Sequence, residues 1–191
     1  MALHLFYCPT LSAGDAELPE EEAHHARSVL RLPVGASVGL LDGKGTVAQA
    51  EIIHLDKRRV LVSITSQRKM DREGRARIHL AVAPTKQMER FEWMLEKCTE
   101  IGVDSITPLI TTRSERTRLR HDRLERVLIG AMKQSQRAWL PALEQATALS
   151  DLASRTMPAQ RCFGWCEGHR EPLMKCYRPG EDALVLIGPE G

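Results

Sequence analysis

No apolar run in the 191 residues approaches the roughly 20 needed to cross a bilayer as a helix, so no membrane span is expected. The first residues, Met1-Ala2-Leu3-His4-Leu5-Phe6, lack both a basic n-region and a long h-region, and no signal peptide is read there. There is no G-x-G-x-x-G, Walker loop, G-x-S-x-G or H-E-x-x-H, which argues against a dinucleotide oxidoreductase, an NTPase, a serine hydrolase and a zinc protease. Internal repeats and low-complexity stretches are absent. The cysteines are Cys8, Cys98, Cys162, Cys166 and Cys176, an odd count that fits a reducing cytoplasm better than a disulfide framework. Net charge is only +2, and there is no strong basic stripe of the kind a general DNA coat carries.

A 27% charged and 42% apolar composition is that of a globular protein large enough to bury a core. The charge is uneven. Residues 1–70 balance 8 basic against 8 acidic side chains, 71–140 carry 14 against 10, and 141–191 carry 5 against 7. The basic excess is therefore local, and arginine supplies most of it.

Along the chain, Leu3–Tyr7 reads as a strand. Pro19 and the acids Glu20–Glu22 open a helix running to about Leu32, where Pro33 and Gly35 stop it. Val38–Leu41 and Val47–Ile53 flank Asp42-Gly43-Lys44-Gly45 as a hairpin, and Arg59–Ile64 alternates as another strand. Short strands with one helix suggest a small barrel. The polar stretch Gln67–Arg77 reads as a linker. The rhythm then changes to strand Ile78–Ala83, a helix through Phe91–Ile101 ended by Gly102, strand Ser105–Ile110, helix Leu119–Trp139, a short helix capped by Ser150, and strands Arg161–Trp165 and Ala183–Ile187. Alternating strands and helices predict an α/β domain with a parallel sheet.

The run Leu184-Val185-Leu186-Ile187 suits a strand buried on both faces. The turn after it, Gly188-Pro189-Glu190-Gly191, lies beyond a strand's carboxyl end, where such sheets bind ligands; Gly188 and Gly191 would let a ligand approach the backbone. Six arginines, Arg113, Arg116, Arg118, Arg120, Arg123 and Arg126, follow strand Ser105–Ile110 without a lysine among them. Their guanidinium forks match phosphate oxygens, although Glu115, Asp122 and Glu125 could equally make this a solvated helix face. Lys86 lies just past a strand's carboxyl end, and Gln134, Ser135 and Arg137 close the long helix. Cys162-x3-Cys166 with His169 and Cys176 offers soft ligands, but zinc sites favour tighter pairs, and no metal site is read there or at His24 and His25. One of those two histidines should pack and the other face solvent. Cys98 reads as a buried thiol.

Taken in order, His25-x4-Leu30-Arg31, Lys86, Glu96-Lys97-Cys98-Thr99-Glu100-Ile101-Gly102-Val103 with Ile106-Thr107-Pro108, Arg113-Ser114, Gln134-Ser135-x-Arg137-x3-Pro141 and Ile187-Gly188-Pro189-Glu190-Gly191 form a set. This set resembles the bacterial ribosomal RNA small subunit methyltransferase E family, the 16S rRNA uridine-N3 methyltransferases, over essentially the whole chain. The resemblance implies a PUA-like β-barrel RNA-binding domain at 1–70 and, at 71–191, a SPOUT α/β methyltransferase domain with a deep trefoil knot whose loops hold S-adenosylmethionine. It implies a cytoplasmic homodimer acting on 16S rRNA of the small ribosomal subunit, with no membrane or DNA partner.

By the same resemblance, Leu186, Ile187, Gly188, Pro189 and Gly191 form one cofactor loop, with Trp165 and Glu167 in another. For the chemistry of methyl transfer to N3, Arg113 and Glu190 are the expected catalytic residues: Arg113, with Lys86, would steer rRNA phosphates or stabilise the developing uracil anion, and Glu190 or a water would take the N3 proton. His25, Arg31, Lys86, Arg116, Gln134 and Arg137 are the expected RNA contacts. The family pattern continues beyond Gly-Pro-Glu-Gly with a helix, a strand and a Leu-Arg-x-Glu-Thr-Ala segment. The expectation is thus a SPOUT domain truncated at its C-terminus, without part of its cofactor pocket and dimer face. Two rival readings are a SPOUT methyltransferase acting at another RNA position and a non-catalytic RNA-binding module, the latter predicting salt-sensitive RNA binding without cofactor affinity.

Overall fold

The computed structural model describes residues 3–72, 74–164, 167 and 171–189. The chain falls into two compact units, residues 1–71 with 129–140, and residues 72–128 with 141–191.

In the first unit, β1 (His4–Tyr7) and β2 (Asp15–Glu17) precede helix α1 (Glu20–His24), β3 (Ser37–Leu41), β4 (Thr46–Leu55) and β5 (Val60–Lys69). They form a five-stranded sheet in the order β1-β3-β4-β5-β2. Pro19 stands at the N-cap of α1 and three glutamates fill its first turn, which complements the helix dipole. The helix continues as a π turn over His25–Val29, and Arg31 ends it with φ of 52°. Alternation along β4 turns Ala48, Ala50 and Ile52 inward to join Phe6, Leu18, Ala26, Val38, Leu40, Val60 and Val62 in one core. His24 is exposed, while the ring of His25 packs edge-on against Phe6, with centroids 6.1 Å apart.

The β3–β4 turn is built around Asp42, whose Oδ1 accepts the Lys44 and Thr46 N–H groups at 2.7 Å each. Gly43 and Gly45 take φ of 71° and 95°, backbone that glycine adopts without strain.

β5 is longer than the alternation suggested. Gln67, Arg68 and Lys69 pair with Ala48, Val47 and Thr46, so the first residues of the expected linker belong to the sheet. Their polarity marks an exposed strand end, and the antiparallel partner overrides it. β2 carries too little apolar character to be read locally.

In the second unit, β6 (Ile78–Val82), α2 (Met88–Ile101), β7 (Ser105–Ile110), α3 (His121–Gln134), β8 (Ala142–Leu143), β9 (Thr147–Ala148), α4 (Leu149–Ala153), β10 (Gln160–Gly164), α5 (Leu173–Cys176) and β11 (Ala183–Ile187) follow one another. The last six residues of α3 belong to the first unit. The sheet order is β10-β11-β6-β7-β8, with β9 also on β7, and every pairing is parallel. Gly102, at φ of 89°, ends α2 by donating to the Cys98 and Thr99 carbonyls. Cys98 is buried in that helix, as its spacing predicts. Leu152 of α4 packs with Ala81, Leu109 and Leu184 on one face of the sheet. The amino edge is pinned by Asp104, which pairs with Arg72 and accepts the Ile78 N–H at 2.7 Å.

Three local readings are corrected. α3 stops at Gln134 rather than Trp139, because Gln136 turns left-handed and the Arg137 N–H bonds back to Met132. Ser150 does not cap α4: Ala148 is its N-cap, and the Ser150 hydroxyl donates to Asp151 instead. β11 is paired on both edges but covered only in its first half: Ala183 and Leu184 are buried, whereas Ile187 is exposed.

Candidate functional site at the carboxyl edge of the parallel sheet

Because all strands of the second unit run the same way, their carboxyl ends lie along one edge. The register sets Gly164 beside Ile187, Ile187 beside Val82, and Val82 beside Pro108. The Ala83 N–H then donates to the Ile187 carbonyl at 2.9 Å, holding the exit of β6 against that of β11. Gly188 follows Ile187 directly, and a Cβ built on it meets nothing within 4 Å among the described residues. Leu186 and Ile187 beside it are partly and well exposed, leaving an apolar strand end uncovered. Pro189 is half-buried and Glu167 is exposed; Trp165, Glu190 and Gly191 lie outside the described residues.

Two further loops stand on this edge. After β7, the Thr111 N–H donates to the Ser114 hydroxyl at 2.9 Å, the Ser114 N–H to the Thr111 carbonyl at 3.1 Å, and the Arg113 N–H to the Thr111 hydroxyl at 3.3 Å. This tight turn carries Arg113 at its exposed tip, where its guanidinium makes no ion pair among the described residues. After β6, the chain bends through Lys86 into α2. Arg116 Nε donates to the Lys86 carbonyl at 3.2 Å, and Lys86 Nζ pairs with Glu115 at 3.3 Å, so the two loops are tied together. The Lys86–Glu115 pair is solvent-exposed and contributes at most about 1 kcal/mol; it orients more than it stabilises.

The arginine set divides. Arg120 and Arg126 both reach Asp122 at 3.2 Å, and Arg123 pairs with Glu92 at 2.6 Å. Those partners hold the Asp122 carboxyl below its usual range through the Arg120 hydrogen bond. Arg120, just before α3, and Arg123 and Arg126 within it thus behave as the solvated, acid-paired face, while Arg113 and Arg118 in the loop make no ion pair among the described residues.

The first unit carries a second cationic feature that sequence reasoning missed. Between β4 and β5, Asp56 Oδ1 accepts the Arg58 and Arg59 N–H groups at 2.7 Å each. Arg27, on the π turn, donates to the Asp56 and Lys57 carbonyls at 3.1 and 2.6 Å. The Asp56 carboxyl is held far below its usual range, chiefly by the His54 hydrogen bond and then by those N–H groups. The turn is fixed, and Lys57, Arg58 and Arg59 stand exposed on it. The triplet is visible in the sequence as a charge run; the carbonyls that Arg27 grips, 29 and 30 residues away, are not.

Of the remaining expected RNA contacts, Arg31 and Gln134 are exposed and Arg137 is half-buried. Gln134 and Arg137 belong to the first unit: residues 129–140 are joined to it by the Lys133–Glu22 pair at 2.6 Å. Hydrogen bonds from Gly45 N–H to Ala138 O and from Leu140 N–H to Gly43 O do the same.

Comparison with known proteins matches a model described as an RNA methyltransferase domain over residues 72–191, and one described as an RNA methyltransferase PUA domain over 18–65. The chain belongs to the ribosomal RNA small subunit methyltransferase E family. It is 30% identical to the protein of that name from Synechocystis sp., covering all of this chain and 65% of the relative. A probable rRNA-methyltransferase from Porphyromonas gingivalis superposes with a TM-score of 0.88 at 39% identity, over 99% of this chain and 81% of that one. The ribosomal RNA small subunit methyltransferase E of Neisseria gonorrhoeae, solved bound to S-adenosyl methionine, superposes at 0.86 with 26% identity, over 98% and 80%. The fold is thus a SPOUT-type α/β domain preceded by a PUA-like domain.

Proposed function

We propose that this chain transfers a methyl group from S-adenosylmethionine to N3 of a uridine in 16S ribosomal RNA, working in the cytoplasm as a homodimer. We assign RNA binding to residues 1–70 and methyl transfer to residues 71–191. The observation that carries the reading is the carboxyl edge itself: a glycine following β11, whose last residue is in register with the exit of β6, and an exposed arginine with no ion pair among the described residues on a braced turn after β7. It joins the family membership and the cofactor named for the Neisseria relative.

The residues present suit that cofactor. Leu186 and Ile187 offer an apolar surface, and Gly188 an open backbone, at the edge where parallel sheets bind ligands. Pro189, Glu167, Trp165 and Gly191 complete the proposed loops. When bound, the cofactor supplies an electrophilic methyl on a sulfonium. The chain's own task is alignment, which alone lowers such a barrier by up to about 7–11 kcal/mol. The Arg113 guanidinium stabilises negative charge as the uracil N3 proton leaves, and Glu190 accepts that proton. Lys86 and Arg116, bonded to each other's loops, steer the RNA backbone toward that edge. In the first unit, His25, Arg31, Gln134 and Arg137 contact RNA, and the braced Lys57-Arg58-Arg59 turn contacts its phosphates. N3 lies on the pairing edge, so the target base is unpaired or extruded when it reacts.

The test is methylation of unmodified small-subunit rRNA, read by digestion to nucleosides and mass spectrometry. The expected product is 3-methyluridine, and Arg113→Ala should slow its formation on the order of 10²-fold or more with unchanged circular dichroism. A methyl group on another nucleoside, or full turnover in the variant, would overturn the position or the role.

A further inference from the structure

The four described cysteines fall into two pairs. Cys8 and Cys98 are buried, and burial pushes both thiols above their ordinary value. Cys162 is half-buried and Cys176 exposed, and both line one pocket of about 240 Å³, whose wall also includes Gln160, Arg178 and Glu181.

The pocket owes its shape to a clamp. The Arg178 N–H donates to Gln160 Oε1 at 2.5 Å, and Gln160 Nε2 donates to the Arg178 carbonyl at 3.4 Å. Cys162 lies two residues after Gln160, on the same face of β10, because side chains alternate along a strand. Cys176 lies two residues before Arg178. Each cysteine thus lies two residues from a member of the clamp, and both line the same pocket.

We propose that Cys162 and Cys176 form a dithiol site that reacts with a small disulfide and closes to an intrachain bridge. One cysteine, as thiolate, attacks the external disulfide; a protein–small-molecule S–S bond forms and the first small thiolate leaves. The second cysteine gives its proton to solvent and attacks the protein sulfur of that mixed disulfide, and the second small thiolate leaves. Two protein thiols are oxidised, and one external disulfide is reduced to two thiols. Arg178 and Glu181, 3.8 Å apart as an ion pair, stand in the wall of the same pocket. Closure encloses residues 163–175 in a ring tied to β10. That ring contains Glu167 and most of α5, so oxidation restrains the connection between β10 and β11.

The experiment treats the full chain with oxidised glutathione, alkylates the remaining thiols, and maps peptides by mass spectrometry without reduction. The expected result is a Cys162–Cys176 cross-linked peptide lighter by two hydrogens, with Cys8 and Cys98 alkylated only after unfolding. C162S and C176S should each hold glutathione as a stable adduct on the remaining pocket cysteine, and C166S should bridge as fully as the parent chain. Hydrogen exchange at residues 171–178 should slow on oxidation of the parent chain and not of C176S. Glutathione on both pocket cysteines without a bridge, a bridge that uses Cys166, or unchanged exchange would overturn the proposal. None of these readouts requires cofactor or RNA, so the result stands apart from that of the methyl-transfer assay.

Discussion

Lys133→Met tests what holds residues 129–140 in the first unit. Lys133 Nζ lies 2.6 Å from Glu22 Oε1, with the two side chains 19% and 8% exposed, and the other Glu22 oxygen is buried with no hydrogen-bond partner. Removing the ammonium strands a desolvated carboxylate. Such a loss costs about 3–5 kcal/mol, and the partial exposure of Lys133 places it near 3. Replacing both partners, as Glu22→Met with Lys133→Met, removes the stranded charge and should return stability to within about 1 kcal/mol of the parent chain. Glu22→Met alone should cost less than Lys133→Met, because a lysine can extend to water and a buried carboxylate cannot. The assay is urea unfolding followed by the fluorescence of Trp139, in a background where Trp93 and Trp165 are phenylalanine. With a slope of about 1–3 kcal/mol per molar urea, the single variant should lower the midpoint by about 1–3 M. A loss under about 1 kcal/mol in Lys133→Met, or a double variant no better than the single, would refute the argument.

Burial pushes the His79 imidazole below its ordinary value, and its Nε2 sits 2.7 Å from the buried Thr107 hydroxyl. The unfolded chain then binds the proton more readily, so stability is complete above about pH 6.5 and falls as pH drops below it. His79→Gln, which can keep the bond to Thr107, should flatten urea midpoints between pH 7.5 and 5; an unchanged slope would refute this. Gly45→Ala should cost about 2–4 kcal/mol, combining a left-handed backbone with overlap of the new methyl and the Trp139 indole, and a neutral effect on thermal unfolding would contradict that packing. If the β4–β5 turn contacts phosphates, Lys57→Ala with Arg58→Ala should make the log–log salt slope of RNA binding shallower by about 1.4, or 0.7 for each lost contact on single strands; an unchanged slope in fluorescence anisotropy would remove that role.

Patterns carried by neighbouring residues are legible in the sequence itself. Period-two alternation marks β4, helical spacing of Phe91, Leu95 and Cys98 marks α2, and four aliphatics ahead of a glycine mark β11, because each pattern reports the chain's own local geometry. The ordered motifs, ending in Ile187-Gly188-Pro189-Glu190-Gly191, carry the family.

What depends on distant partners is not legible there. The charge run after β7 looks uniform in sequence; Asp122 and Glu92 pair with Arg120, Arg123 and Arg126 and leave Arg113 on its loop. Lys57-Arg58-Arg59 is a bare charge run in sequence, and it is the grip of Arg27 on the Asp56 and Lys57 carbonyls that helps fix it. Residues 129–140 continue a helix of the parallel-sheet unit in sequence, yet belong to the other unit through Lys133–Glu22 and the bonds to the β3–β4 turn. Local pattern determines which face of an element is apolar. Which of its charges remain unpaired depends on groups tens of residues away, and only the tertiary structure brings those groups within hydrogen-bonding distance.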